Sequence, residues 1–329
     1  MNIAANRRFL LLLAKLLVVA LTLYLLYQAI FTAPVTFLSW QTIVENALQS
    51  PARWLFIVTA LLIPANWGFE AKKWQLLGQK LESISYWRAY RAVMVGLTLG
   101  FITPNRLGDY AGRVLELKSK QRLEAIGAIF IGRFCQLVAT VIVGSVGLLY
   151  FIVTFFWADY PGVSLSLVFL LLTIVAATLL LLYNAQALVA VISAIKPLKK
   201  LVSYMAIMAN YNSAEISKLL LLSLGRYTVF LVQFILLLIL FDVKLSALQY
   251  VSGVAGTFFI KSIVPSVSLL SDLGVRELSA MYLFGLLGQE RLQVLSASLS
   301  LWLLNIAVPS LIGLYFVLRL RFSRKGVAA

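Results

Sequence analysis

Six stretches of mostly apolar residues, each longer than about 20 residues, limit the folds open to this chain. A helix of about 20 residues is long enough to cross the roughly 30 Å hydrocarbon core of a bilayer. The six stretches are Phe9 to Phe31, Trp54 to Leu77, Ile126 to Trp157, Val163 to Tyr183, Leu219 to Phe241 and Val294 to Leu318. With 62% hydrophobic and 12% charged residues, the chain also lacks the polar side chains to cover a soluble body of 329 residues. We therefore predict an all-α polytopic membrane protein in which residues 1–329 form a single membrane domain.

The composition excludes several classes of functional site. The sequence has no His and one Cys, which rules out His-based acid/base catalysis, zinc centres built on His and Cys, and intramolecular disulfides. We expect no metal, no cofactor and no catalytic residue. Lys and Arg exceed Asp and Glu by 28 to 12, and in a membrane protein such an excess marks cytoplasmic loops. Nucleic acid is therefore not an expected partner.

The N-terminal stretch follows Arg7 and Arg8, as the core of a secretion signal would. It is about twice as long as a signal core, however, and lacks a small-residue cleavage pattern. We predict a retained first span with the N-terminus inside, because loops rich in Lys and Arg stay cytoplasmic. The same rule places Lys72 and Lys73, after the second span, and the C-terminal segment from Arg319 inside.

Two shorter apolar stretches end at a proline and are followed by charged residues. The first, Ala89 to Thr103, precedes Pro104 and a segment with five basic residues that cannot itself span. If this stretch crossed the membrane, every later loop would be inverted and its Lys residues would lie outside. We predict two re-entrant helical hairpins instead. One, at about 89–118, enters from the cytoplasm, and the other, at about 250–288 and broken at Pro265, enters from the opposite side.

The order of these elements is the same in the two halves of the chain. Residues 1–160 and residues 161–329 each consist of span, span, hairpin, span, and the second half begins on the opposite side. This order predicts a 3+3 inverted repeat with six full transmembrane helices, two re-entrant hairpins and both termini inside. Interrupted segments at corresponding places in two inverted halves indicate a transport site near the membrane midplane.

Four charged residues follow the first proline at a spacing of three or four, namely Arg106, Asp109, Arg113 and Glu116. On a helix this spacing places them on one face as a ladder of alternating sign. We predict that they bind substrate, because charges at the deep end of a hairpin are costly unless they are paired or contact a polar ligand. The alternative is a self-neutralised helix face at the cytoplasmic surface.

A second charged set surrounds the other proline and consists of Lys261, Asp272, Arg276 and Glu277. Asp272 and Arg276 are four residues apart, so we predict an ion pair between them. These two residues and Glu277 are candidates for substrate binding. Lys261 interrupts an apolar stretch and is a candidate gate residue. The alternative is a capped, salt-bridged helix start at the outer surface.

Two arginines, Arg133 and Arg226, lie well inside predicted spans, about 12 to 15 Å deep at the rise of an α-helix. An Arg at this depth indicates a functional site. Two guanidinium groups that face one cavity would hold a phosphate group through paired hydrogen bonds. The alternative is that each long side chain extends to the cytoplasmic headgroups.

The end of the second span, NWGFEAKKW, places Glu70 among basic and aromatic residues. Glu70 is either a gate carboxylate or a member of an interfacial ion pair with the neighbouring lysines. Trp67 and Trp74 are predicted to belong to an aromatic belt at the membrane interface.

The segments TPNRLGDYAGRVLEL, VPSVSLLSDLGVREL and NWGFEAKKW resemble the membrane region of the lysylphosphatidylglycerol synthase/flippase family. The similarity covers essentially the whole chain. It implies a function in moving an anionic, aminoacylated, or isoprenoid- or glycan-linked lipid between bilayer leaflets. Bifunctional members continue into a soluble aminoacyltransferase domain, whereas this sequence stops at RFSRKGVAA. From the resemblance we therefore expect only the translocating half of the family function.

The sequence as a whole predicts a multi-pass lipid transporter of the cell inner membrane or plasma membrane. Its expected partner is a membrane lipid with a polar headgroup, and further candidates are a lipid-synthesising enzyme and a second copy of the chain. Two alternatives remain open at this point. One is a membrane-embedded transferase that modifies a lipid, and the other is an accessory partner of a lipid synthase.

Overall fold

The structure is a computed structural model that describes residues 37–103, 106–119, 122–195, 207–264 and 274–319, together with isolated residues 13, 16, 17, 20, 24, 202, 204 and 205. The predicted first span, apart from five isolated residues, lies outside this part of the chain. So do the two proline turns, the candidate site residue Asp272 and the basic residues beyond position 319.

The described residues are mostly helical, and no β-strand is present among them. The α-helices are α1 (Phe37–Gln49), α2 (Trp54–Leu61), α3 (Ile63–Gly78), α4 (Tyr86–Phe101), α5 (Leu107–Leu115), α6 (Ala125–Phe151), α7 (Pro161–Tyr183), α8 (Ala185–Ala194), α9 (Ser213–Leu240), α10 (Ala247–Ile263), α11 (Val275–Leu286), α12 (Arg291–Trp302) and α13 (Val308–Leu318). One π-helical turn, Ile152–Phe156, extends α6, and another, Leu303–Ala307, joins α12 to α13.

Five of the helical segments are long and apolar enough to cross a membrane. They are Pro51–Gly78, Ala125–Phe156, Pro161–Tyr183, Ser213–Leu240 and Arg291–Leu318. These segments confirm each predicted span that falls within the described residues. The outer face of α7 exposes large apolar side chains such as Phe169 and Leu180, as expected for a helix that faces lipid. The described part of the chain is thus all helical and has the long apolar helices of a membrane protein.

The first predicted hairpin is a pair of helices, α4 and α5, neither of which is long enough to span. Ser85 begins α4 by accepting a hydrogen bond from the backbone N of Arg88 at 3.3 Å. The two helices touch along glycines, because a Cβ atom at Gly112 of α5 would lie 2.5 Å from the Cα of Gly96 in α4. This direct backbone contact holds the pair as one compact unit.

The second predicted hairpin is the helix pair α10 and α11, of 17 and 12 residues, both shorter than the about 20 residues of a typical span. A capping box starts α10, since Ser246 accepts from the backbone N of Gln249 and the Gln249 side chain accepts from the backbone N of Ser246. Gly253 of α10 makes room for the ring of Phe284 in α11. Both interruptions that the sequence predicts are therefore helical pairs.

Helix α4 of the first pair packs against α13, which belongs to the last span of the chain. The Thr98 hydroxyl donates to the carbonyl oxygen of Ser310 at 2.8 Å, and Met94 lies against Gly313. As the chain advances along α4, its contacts move backwards along α13. The two helices are therefore antiparallel.

Helix α10 of the second pair packs in the same manner against α6, a span of the first half. Phe259 lies against Gly144, and Ala255 lies against Gly147. This contact order is again antiparallel. Each helical pair thus packs against a span from the other half of the chain.

The centre of the protein is the crossing of the span Pro51–Gly78 with α9. Gly225 of α9 lies against the ring of Phe69, and Gln233 Nε2 donates to the carbonyl oxygen of Thr59 at 2.9 Å. These contacts make the two spans antiparallel as well. The crossing brings the polar residues of α3 next to those of α9.

Candidate functional site

Glu70 on α3 is the centre of a buried ion network. Its Oε2 lies 2.9 Å from Lys73 Nζ and 2.7 Å from Arg226 Nη1, and its Oε1 lies 2.8 Å from Arg113 Nη2. The Glu70 residue is 4% exposed. One carboxylate therefore joins α3, α5 and α9. Its pair with Lys73 is the ion pair with a neighbouring lysine that the sequence left as an alternative, and it is buried inside the protein.

Asp109 on α5 extends this network to α6. Its carboxylate accepts from Arg113 Nε at 3.0 Å and also contacts Arg133 Nη2, whose guanidinium carbon lies 4.7 Å from the centre of the Tyr110 ring. Two buried carboxylates, at positions 70 and 109, thus face four cations. Buried charges are costly unless they are paired, so the network depends on these contacts.

Of the four charged residues predicted to form a ladder on one face of α5, the two central residues pair as predicted, and the first and last do not. Asp109 and Arg113 form the expected i,i+4 ion pair. Glu116 instead pairs with Arg91 of α4 at 2.8 Å, because α5 ends at Leu115 and the helical face does not continue.

Arg106 precedes α5 in a left-handed conformation, with φ of 56°. This region is unfavourable for a residue other than Gly, and such strain is typical of functional sites. Arg106 Nε is buried and has no hydrogen-bond partner among the described residues. Among the described residues, no ion pair connects Arg106 to the other members of the ladder.

The sequence predicts Lys72 and Lys73 together on the cytoplasmic side of the second span, but only Lys73 is buried inside the protein. Lys73 is 1% exposed, and its ammonium group also lies 3.4 Å from Gln136 Oε1 and 3.3 Å from Ser223 Oγ. Lys72, one position earlier, is exposed and donates to Gln75 Oε1 at 2.9 Å. The helical rotation of about 100° between adjacent residues separates the two roles.

Asn66 continues the polar layer around Arg226. Its Oδ1 accepts from Arg226 Nε at 2.9 Å, and its Nδ2 donates to Oδ1 of Asn305 at 2.8 Å. Asn305 lies in the π-helical turn between α12 and α13. The Arg226 side chain is thus fixed from two sides, by Glu70 and by Asn66.

Two tryptophans that the sequence assigned to the interfacial belt lie inside the protein. Trp67 is 3% exposed and Trp74 is fully buried. The guanidinium carbon of Arg226 lies 4.9 Å from the centre of the Trp67 ring, and that of Arg113 lies 5.7 Å from Trp74. The rings stabilise the buried arginines through cation–π contacts.

In the second helix pair, Arg276 contacts Glu277 and the end of α12. Arg276 Nε donates to Ser298 Oγ at 2.9 Å, and Nη2 donates to the carbonyl oxygen of Ser298 at 3.0 Å and to Glu277 Oε1. Glu277 Oε2 accepts from the backbone N of Gly274 at 2.8 Å. The predicted partner of Arg276, Asp272, lies outside the described residues, so that pair stays a prediction.

A cavity of about 170 Å³ lies where the two helix pairs approach each other, and we call it the central cavity. Arg106 of the first pair and Lys261 and Arg276 of the second pair line it, together with Arg226 of α9. The sequence alone could not decide whether the two interruptions meet, and the structure brings them to one cavity. Arg133 and Glu116 do not line it.

Asn66, Trp67, Lys73 and Tyr227 were missed as site residues by the sequence analysis. A usable signal was present in α3, where Asn66, Glu70 and Lys73 recur at the i, i+4, i+7 spacing of one helix face. No such pattern marks Tyr227. Among the described residues, no group of three His, Cys, Asp or Glu side chains could hold a metal ion.

Comparison with known proteins gives one match, and it is to a family. No curated protein and no solved structure matches the chain. The family described as the lysylphosphatidylglycerol synthase TM region matches residues 8–313, which is most of the 329-residue chain. This protein therefore belongs to the lysylphosphatidylglycerol synthase transmembrane-region family.

Proposed function

We propose that this protein moves a membrane lipid between bilayer leaflets and is not itself an enzyme. The observation that carries the proposal is the central cavity, to which both interrupted helix pairs contribute. Interrupted helices that meet at a polar cavity are a recurrent way to build a transport site. The family relates the chain to membrane lipids, and it leaves the step that the chain performs open.

The proposed topology is the 3+3 inverted repeat, with both termini inside and the two helix pairs re-entering from opposite sides. The antiparallel packing of α4 on α13 and of α10 on α6 is compatible with this arrangement. Each helix pair packs against a span from the other half of the chain. A movement of one half relative to the other would therefore shift a helix pair relative to the central cavity. Rigid-body rocking of one repeat against the other is how transporters with inverted repeats alternate access.

In this mechanism the acyl chains stay in the bilayer while the headgroup enters the central cavity. Polar groups that leave water must find hydrogen-bond partners, because an unsatisfied polar group in hydrocarbon is costly. Trp67, Arg106 and Tyr227 line the cavity, and each has a buried polar atom without a hydrogen-bond partner among the described residues. The sequence has no G-x-x-x-x-G-K-[ST] motif, so we propose passive or ion-coupled movement in the cell inner or plasma membrane.

Arg106→Gln is expected to slow lipid exchange about 10-fold or more. Arg106 lines the cavity, and its Nε has no hydrogen-bond partner and no ion pair with the Glu70 network among the described residues, so the fold should tolerate the change. A lost hydrogen bond to a charged group corresponds to a factor of about 10 or more. The measurement is dithionite quenching of fluorescent phosphatidylglycerol in liposomes that contain the purified protein.

Lys244→Gln is the matched control, because the Lys244 side chain is 81% exposed and pairs only with the exposed Asp242. Exchange in the wild type and in Lys244→Gln, with loss in Arg106→Gln, would support the proposal. Absence of exchange for every fluorescent lipid and for native lipid extract would contradict it. Formation of a modified lipid by the same preparation would then favour the transferase alternative.

A further inference from the structure

We infer that the central cavity selects lipids by a phosphate group in a headgroup of net negative charge, and that it discriminates against aminoacylated, cationic headgroups. This inference rests on the proposed function, because it names the substrate class of the same site. The recognised chemistry is a phosphate, which a lipid headgroup or free inorganic phosphate could supply. We assign it to the lipid, since the cavity lies within the membrane-spanning body.

The first argument is the charge of the cavity lining. Four of its described residues are cationic, namely Arg106, Arg226, Lys261 and Arg276. None of its described residues is acidic. The nearby carboxylates, Glu70 and Glu277, do not line the cavity and contact arginine nitrogens instead. An ammonium group in the cavity would therefore meet cations and no carboxylate of the described lining.

The amide of Gln136, which also lines the cavity, does not change this charge balance. Its Oε1 lies 3.4 Å from Lys73 Nζ, and its Nε2 donates to the carbonyl oxygen of Ser223 at 3.2 Å. Both ends of the amide are therefore engaged within the protein.

The second argument is the set of unused donors. Trp67 Nε1, Arg106 Nε and Tyr227 Oη are buried atoms without a hydrogen-bond partner among the described residues, and all three residues line the cavity. Trp67 and Tyr227 are each 3% exposed. The N–H groups of Trp67 and Arg106 can only donate hydrogen bonds, so they require a ligand that accepts hydrogen bonds. A phosphate accepts several hydrogen bonds at once and is charged opposite to the lining.

Tyr227→Phe isolates one of these donors without disturbing the packing. The Tyr227 ring lies edge-on to Phe258 with centroids 5.7 Å apart, and Phe keeps that contact. Because the hydroxyl has no described partner, we expect the melting temperature to stay the same or rise. We also expect the affinity for dioleoylphosphatidylglycerol to fall about 10-fold, as for a lost hydrogen bond to a charged group.

Tyr211→Phe is the matched control, because the buried Tyr211 hydroxyl donates to the carbonyl oxygen of Leu77 at 2.8 Å, away from the cavity. Burial raises the pKa of Tyr211, so the phenol keeps the proton that it donates. Its replacement should lower the melting temperature and leave lipid affinity unchanged.

The experiment measures binding to the full-length protein in detergent by native mass spectrometry, with four probes. These are dioleoylphosphatidylglycerol, lysylphosphatidylglycerol, dioleoylglycerol and inorganic phosphate. The inference predicts that phosphatidylglycerol binds at least about 10-fold more tightly than the lysylated lipid and dioleoylglycerol, and that Tyr227→Phe removes most of this difference. Displacement of the lipid by equimolar inorganic phosphate would overturn the lipid assignment.

Equal or tighter binding of lysylphosphatidylglycerol, or unchanged affinity in Tyr227→Phe, would overturn the inference. The same preparation is also tested for lipid exchange in liposomes, which separates the two proposals. Selective binding without exchange would overturn the proposed function and support the phosphate site. Exchange without a preference for the anionic lipid would support the proposed function and overturn the phosphate site.

Discussion

Glu70→Gln is expected to destabilise the protein by about 3 to 5 kcal/mol, the cost of removing one partner from a buried ion pair. The Glu70 carboxylate is the ion partner of Lys73 and Arg226 and one of two partners of Arg113. The neutral amide of Gln at position 70 would leave these three cations buried without enough negative charge to neutralise them. The Gln amide is nearly isosteric with the Glu carboxylate, so the loss of stability would reflect the lost charge and not a packing defect.

The measurement is the midpoint of denaturant-induced unfolding in detergent, compared with Glu45→Gln. Glu45 lies on α1, is exposed and contacts Gln41, so its neutralisation should change stability by less than about 0.5 kcal/mol. The double variant Glu70→Gln with Lys73→Met should recover part of the loss, because it also removes one buried cation. Equal unfolding midpoints for Glu70→Gln and Glu45→Gln would refute the central role of Glu70.

Gly112→Ala is expected to destabilise the first helix pair by about 3 kcal/mol, the upper range for overpacking a well-packed interior. The added Cβ would lie 2.5 Å from both the Cα and the N of Gly96, and a backbone cannot rotate away as a side chain can. The helices α4 and α5 would have to separate. That movement would also pull Asp109 and Arg113 away from the ion network.

Gly162→Ala is the matched comparison for this prediction. Gly162 lies in the first turn of α7, and a Cβ there would meet no atom within 4 Å. Its replacement should be neutral or slightly stabilising, because Ala favours a helix more than Gly by about 1 kcal/mol. Both variants are followed by unfolding in detergent and by lipid exchange. Equal stability of the two variants would show that the glycine contact does not hold the pair together.

Much of the fold could be predicted from the sequence because the deciding properties are local. The length of an apolar stretch determines whether a helix can cross a bilayer, and each predicted span within the described residues is present. Likewise, two apolar stretches that end at prolines are shorter than a typical span, and each forms the first helix of a helical pair. The Asp109–Arg113 ion pair was predictable for the same reason, since its spacing lies within one helix.

The candidate site was decided by the tertiary structure, because it joins residues that are far apart in the chain. Glu70 and Arg226 are 156 positions apart and meet only because α3 and α9 cross. The same crossing buries Lys73, whereas Lys72 stays at the surface. The sequence thus determined which segments are long and apolar enough to cross a membrane and which charges they carry. Only packing decided which of those charges pair and which line the cavity, since electrostatic and hydrogen-bond energies depend on distances that the chain order does not fix.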